Sequence, residues 1–235
     1  DEAGRFSADV NRRYAALLGS FYSVTAGRLG ITAEELAQRY PLRIAAQAAP
    51  GAAVLEQPGT PAFQRWFGDS KVVDAEGKPL VIYHGTNQAI TAFDPAKIGT
   101  RDAGFFGSGF YFTPDEGQAL DYADTAVEDT GEGEAVAMPL YASLQNPFIW
   151  DMSDAGADAT RAALASFGIK RDSVRGNSAA LGNAKERETF NRAVRAAGFD
   201  GVIVRDEDGV QEVVAFESTQ IKSATGNRGT YDPAD

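Results

Sequence analysis

Val81-Ile82-Tyr83-His84-Gly85-Thr86 is a β-rich run that ends in the chain's one histidine, a glycine and a threonine. Two further stretches belong with it. Gly107-Ser108-Gly109-Phe110-Tyr111-Phe112-Thr113 is an aromatic run framed by glycines, and Gln211-Glu212-Val213-Val214-Ala215-Phe216 is a β-branched run entered through a carboxylate. Around these, short runs bounded by turn residues predict strands over 80–83, 109–112, 135–144, 202–204 and 213–216. Helical spacing predicts helices near 155–167 and 185–197, the second closed by Gly198. Strands outnumber helices and do not alternate strictly with them, which excludes a doubly wound parallel sheet and predicts an α+β fold.

Upstream of these runs the text changes. Phe6, Val10, Tyr14, Leu17, Leu18, Phe21 and Val24 recur at three- and four-residue steps and predict a helix near 7–28. Thr32 and Glu35 form a capping-box pair for a shorter helix that Pro41 ends. From 45 to 62 the chain is rich in alanine, proline and glycine and nearly uncharged, as linkers are. The expected organisation is a helical arm over 1–44, a linker over 45–62 and a main domain over 63–235.

At 235 residues and 43% hydrophobic, the chain is long and apolar enough for at least one full core and is not disordered. It has no cysteine, which excludes disulfides, thiolate nucleophiles and zinc–thiolate sites. One histidine excludes two-histidine metal sites, and no metal is expected. No apolar run reaches membrane-spanning length. Asp1 opens the chain with neither an initiator methionine nor a signal pattern, so a piece of a longer protein is expected.

The net charge of −11 argues against general affinity for nucleic acid or anionic membranes. Its distribution is uneven: no lysine or arginine occurs between Arg101 and Arg161, where the acidic residues contribute −12 and the remainder of the chain is nearly neutral. A block of like charge is usually a solvated loop. The sharper reading is an electrostatic rim that attracts a cationic acceptor or, equally, a basic cognate inhibitor.

Each chemical motif has a bland alternative. A strand-end histidine is more often structural than functional, and Phe110 and Phe112 read as core. Glutamate at a strand entrance is usually an edge charge. In a site, Gly85 would let a planar amide approach the backbone while His84 donates to a hydroxyl. Tyr111 and Tyr122 on facing elements, the latter on a short helix, would clamp a flat ring, and Glu212 would stabilise an oxocarbenium-like centre. The GxxxxGK[ST] and GxGxxG-to-helix patterns of nucleotide loops are missing.

In this order the three motifs resemble the His-Tyr-Glu branch of ADP-ribosyltransferases, the diphtheria-toxin-like and poly(ADP-ribose) polymerase-like enzymes. His84-Gly85-Thr86 is similar to that family's HG[ST], Gly109-Phe110-Tyr111-Phe112 to its G-x-Y-F strand, Tyr122 to its second stacking tyrosine, and Glu212–Phe216 to its E-Y-x-V-[FY] strand. Trp66–Val73, Asn146-Pro147-Phe148, Gly198–Gly201 and Gln220–Asn227 resemble the modules embedded in large polyvalent proteins of phages and mobile elements.

The resemblance implies a split β-sandwich with peripheral helices behind the N-terminal arm, and NAD+ as co-substrate without a metal. It assigns His84, Tyr111 and Glu212 to catalysis, and His84, Gly85, Thr86, Tyr111 and Tyr122 to NAD+ binding. Of the basic groups beside the acidic block, Lys97 and Arg101, Arg101 is taken as the NAD+-binding candidate, for the pyrophosphate. Transfer to a host protein by a toxin or delivered effector acting in a target cell's cytoplasm is implied, with an immunity protein as a second partner. Hydrolysis of NAD+ and a non-catalytic structural module of a phage protein are the alternatives.

Two departures from the family pattern stand out. Ala119 occupies the position of a carboxamide-binding serine, which shifts the anchoring to Gly85. Val210 lies where arginine-specific toxins carry Glu or Gln; regular strand alternation puts it on Glu212's face and Gln211 on the other.

Overall fold

Two sheets share one face each across a common apolar core. The computed structural model describes residues 57–88, 90–100, 104–175 and 180–225. These fall within one compact unit, Ala53–Asp235. The predicted arm and most of the linker lie outside the described residues, and residues 57–62 form a 3-10 turn and the start of a helix.

Helix α1 (Pro61–Phe67) opens with Thr60 Oγ1 accepting from Phe63 N and a proline at its first position, where no N–H is needed. The strands β1 (Ile82–Thr86), β3 (Val136–Ala142) and β7 (Ile221–Ser223) make an antiparallel sheet in the order β1-β3-β7. The second sheet, in the order β2-β6-β5-β4, holds β2 (Phe110–Phe112), β6 (Gly209–Ala215), β5 (Gly201–Asp206) and β4 (Phe148–Asp151). Only its β4–β5 pair is parallel.

Alternation places Ile82, Leu140 and Ile221 of one sheet against Phe110, Phe112, Ile203, Val213 and Ala215 of the other, all buried. The far side of the second sheet packs Phe148, Trp150, Val202, Val204 and Val214 against α3 (Ala157–Ser166) and α4 (Ala184–Ala196), through Leu164, Phe190 and Val194. Phe63 and Phe67 of α1 cover Tyr141. This is the expected α+β split sandwich with helices outside it. Among the described residues no helix is long and apolar enough to cross a membrane.

Tyr83 and Thr113 join the sheets through Tyr83 N–H to Thr113 O at 2.7 Å and Thr113 N–H to Tyr83 O at 3.1 Å. Beyond that bridge β1 and β2 pair no further, and helix α2 (Glu116–Thr130) packs on β1 and β3 through Ala119, Ala123 and Ala126.

Four elements differ from the sequence reading, the first being α1, which begins inside the stretch read as a linker. The short helix expected around Tyr122 runs for 15 residues, capped by Asp115 Oδ1 accepting from Gln118 N and by Gly131 at φ 67°. Part of the acidic block is therefore a helix rather than a loop, with Asp121, Asp124, Glu128 and Asp129 exposed along it. Strands β4 and β7, of four and three residues, were not expected.

Asp151, at the end of β4, ties this part together. It accepts from Ser153 N at 3.0 Å and from Arg205 Nε at 2.8 Å. Burial by itself would raise its carboxyl, but the Ser153 and Arg205 hydrogen bonds outweigh burial and hold it below the ordinary 3.8.

Candidate active site

Where β1 and β2 diverge, a cavity of about 640 Å³ opens, lined by His84, Gly85, Tyr111, Tyr122 and Glu212. These residues come from β1, β2, α2 and β6 and span 129 positions of the chain from His84 to Glu212. Thr86 is not in the lining; its hydroxyl donates to Gln88 O at 3.1 Å and so closes the turn after β1. Lys97 lies exposed in a 3-10 turn away from the cavity, and Arg101 lies outside the described residues. Phe110 and Phe112 are core residues, as expected.

Gly85 earns its place by packing as well as by access. A Cβ there would overlap the Ala119 carbonyl oxygen of α2, so only glycine lets the helix lie this close. Its backbone also has a distinct orientation. Tyr83 turns its N–H and C=O away from β3 toward Thr113, and Gly85, two residues on, presents its own pair on that same side, where β2 has moved away. A planar amide can pair there.

His84 Nδ1 lies 2.9 Å from Tyr111 O. A carbonyl only accepts, so Nδ1 carries the proton and Nε2 is the acceptor nitrogen. The ring stands edge-on to Phe93 at 5.2 Å and beside Phe112 at 5.8 Å. Burial pushes its pKa below the usual imidazole value, with the Tyr111 hydrogen bond opposing in part. The neutral ring thus offers Nε2 as an acceptor to a hydroxyl, whereas the sequence reading allowed it to donate.

Tyr111 and Glu212 share a sheet face. Tyr111 stands opposite Val214, and Glu212 stands opposite Val204; Val204 and Val214 belong to the core on the α3–α4 side. Val210 does not join them. The register passes from Val204↔Glu212 to Arg205↔Val210, so a β-bulge at Gln211 absorbs one residue. Val210 then packs, half-buried, against the inter-sheet core that holds Ile203 and Val213. The expectation that Val210 shares Glu212's face is thus overturned by the bulge, which breaks the period of two. Gln211 is the extra residue, its Nε2 donating to Asp206 Oδ1 at 2.9 Å.

Other lining residues were not singled out from the sequence. Gln118, Thr125 and Asp129 follow the helical period with Tyr122 along α2, a signal readable only once the helix is known to be long. Phe105 carried no periodic signal. Among the described residues no three His, Asp or Glu side chains converge as metal ligands would.

A two-sheet α+β domain with a cavity at the split between its sheets has the architecture of an ADP-ribosyltransferase domain. The chain belongs to that class: the family "ADP-Ribosyltransferase in polyvalent proteins" matches residues 74–231, more than half of its length. Its members use NAD+ and a macromolecular acceptor. No curated protein matches the chain. A solved structure titled "Crystal structure of an anti-CRISPR protein" is 15% identical over 60% of this chain and 93% of that one, at a TM-score of 0.29, too low to carry an argument.

Proposed function

We propose that this chain is a mono-ADP-ribosyltransferase of an effector or toxin, which breaks the nicotinamide–ribose bond of NAD+ and passes ADP-ribose to a host protein. The convergence of His84, Gly85, Tyr111, Tyr122 and Glu212 on one cavity carries this reading. Its volume, about 640 Å³, suits a ligand portion the size of nicotinamide and its ribose.

In this reading Gly85 pairs the carboxamide through its backbone, and the Tyr111 and Tyr122 rings face the pyridinium. His84 Nε2 accepts from a ribose hydroxyl. Glu212 accepts from the 2′-hydroxyl and stabilises the positive charge that develops on the sugar as the C–N bond breaks. The bonding pair leaves with neutral nicotinamide, and an acceptor nucleophile supplies the new bond and loses its proton. Exposed Asp121, Asp124 and Glu128, with Asp129 on the cavity itself, favour an acceptor with a basic surface.

Incubation with adenylate-labelled NAD+ and a host lysate tests this. Wild-type protein should label a discrete band, and Glu212→Gln should lose about 10²–10³-fold of the rate with its melting temperature kept. Free ADP-ribose without a band would replace transfer by hydrolysis. NAD+ left intact by the wild-type chain would overturn both.

A further inference from the structure

Tyr111 does more than face the cavity. Its hydroxyl accepts from Phe106 N at 3.0 Å and donates to Gly107 O at 2.5 Å, reaching back over the segment that precedes its own strand. That segment is shaped around the hydroxyl. Gly104 and Gly107 have φ of 72° and 109°, and a Cβ on Gly104 would overlap the Tyr111 hydroxyl.

The backbone from Phe105 to Ser108 is tied at several points. Leu181 N donates to Phe105 O at 2.8 Å, and Ser108 N donates to Asn191 Oδ1 at 2.7 Å. Phe106 is buried edge-on to Trp150 at 5.0 Å. Yet Phe105 itself is 49% exposed and lines the cavity. Of two adjacent phenyl rings the fold buries one and holds the other out. Phenylalanine is normally buried, so an ordered backbone that presents one at a cavity marks a surface waiting for a ligand.

We infer that Tyr111 is a positioning residue: its hydroxyl latches the Gly104–Gly107 segment and thereby holds the Phe105 ring as a wall of the NAD+ pocket. This rests on the NAD+ reading for the identity of the ligand, and on the hydrogen bonds alone for the latch. Tyr111→Phe keeps the ring and removes the hydroxyl. Phe106 N–H then loses its acceptor, and its hydrogen exchange should quicken about fivefold while the β2–β6 amides keep their protection. KM for NAD+ should rise by about the same factor, with the larger share of the loss in KM rather than kcat.

Phe105→Ala should raise KM with Phe106 exchange unchanged. Because the hydroxyl acts through Phe105, the double variant should be no worse than Phe105→Ala. An unaltered Phe106 amide in Tyr111→Phe, or losses that multiply in the double variant, overturns the latch. A wild-type chain that neither binds nor consumes NAD+ overturns the enzyme reading instead, and Phe106 exchange then decides the latch alone.

Discussion

Gly85→Ala separates a packing requirement from a ligand requirement at the motif's central residue. The added Cβ would lie 2.9 Å from the Ala119 carbonyl carbon and 3.2 Å from Ala123 N, and it would overlap the Ala119 oxygen. Ordinary Cβ contacts begin near 3.4 Å, and these atoms are helix backbone, with no flexible tip to swing aside. Helix α2 must therefore move outward by roughly an ångström, and Ala119 and Ala123, at 1% and 0% exposure, lose close contact with β1. Overpacking of this kind costs about 1–3 kcal/mol, which in a domain of this size lowers Tm by roughly 2–12 °C.

Urea and thermal unfolding followed by circular dichroism measure it, with Gly59→Ala as the control, since nothing lies within 4 Å of a Cβ there. Alanine keeps the backbone N–H and C=O. If Gly85 mattered only for pairing with a carboxamide, stability would be untouched. A Gly85→Ala protein within about 0.5 kcal/mol of wild type, the range of an ordinary surface substitution, refutes the close-packing argument.

His84 is the chain's one histidine, so its imidazole resonances report it without overlap. They should titrate with a midpoint below the usual 6.5. The unfolded chain then binds the extra proton in that window; stability is fully present above about pH 6.5 and falls as pH drops through the folded midpoint. His84→Asn should remove this component, and a midpoint at or above 6.5 would refute it. Asp151→Ala removes the acceptor shared by Ser153 and Arg205 and should cost about 1–3 kcal/mol in urea unfolding. The Asp151 carboxyl is depressed, so its contribution is present above its unfolded pKa and disappears as pH falls through the lower folded one; a variant as stable as wild type at neutral pH would refute the role.

His84, Tyr111 and Glu212, which line one cavity, could be singled out as candidates because each sits in a local motif whose turn and strand chemistry is written in adjacent residues. Phe105 could not be, since its exposure depends on a hydroxyl six positions along and on contacts to Leu181 and Asn191. The 15-residue length of α2 was hidden by its acidic composition, although Asp115 and Gly131 were present as its caps. Val210 failed for a different reason: period-two reasoning assumes a regular ladder, and the bulge at Gln211 is a property of the pairing with β5.

The sequence by itself determined the α+β class, through periodicity and turn residues, and the family, through the resemblance of its ordered motifs; the same motifs supplied the candidate site residues. Only the tertiary structure decided that Gly85 must be bare for α2 to approach, that His84 is neutral with its proton on Nδ1, and that Glu212 and Val210 face opposite ways. These depend on atoms from distant segments meeting within a few ångströms, and strand register and burial, which govern such meetings, belong to pairs of elements.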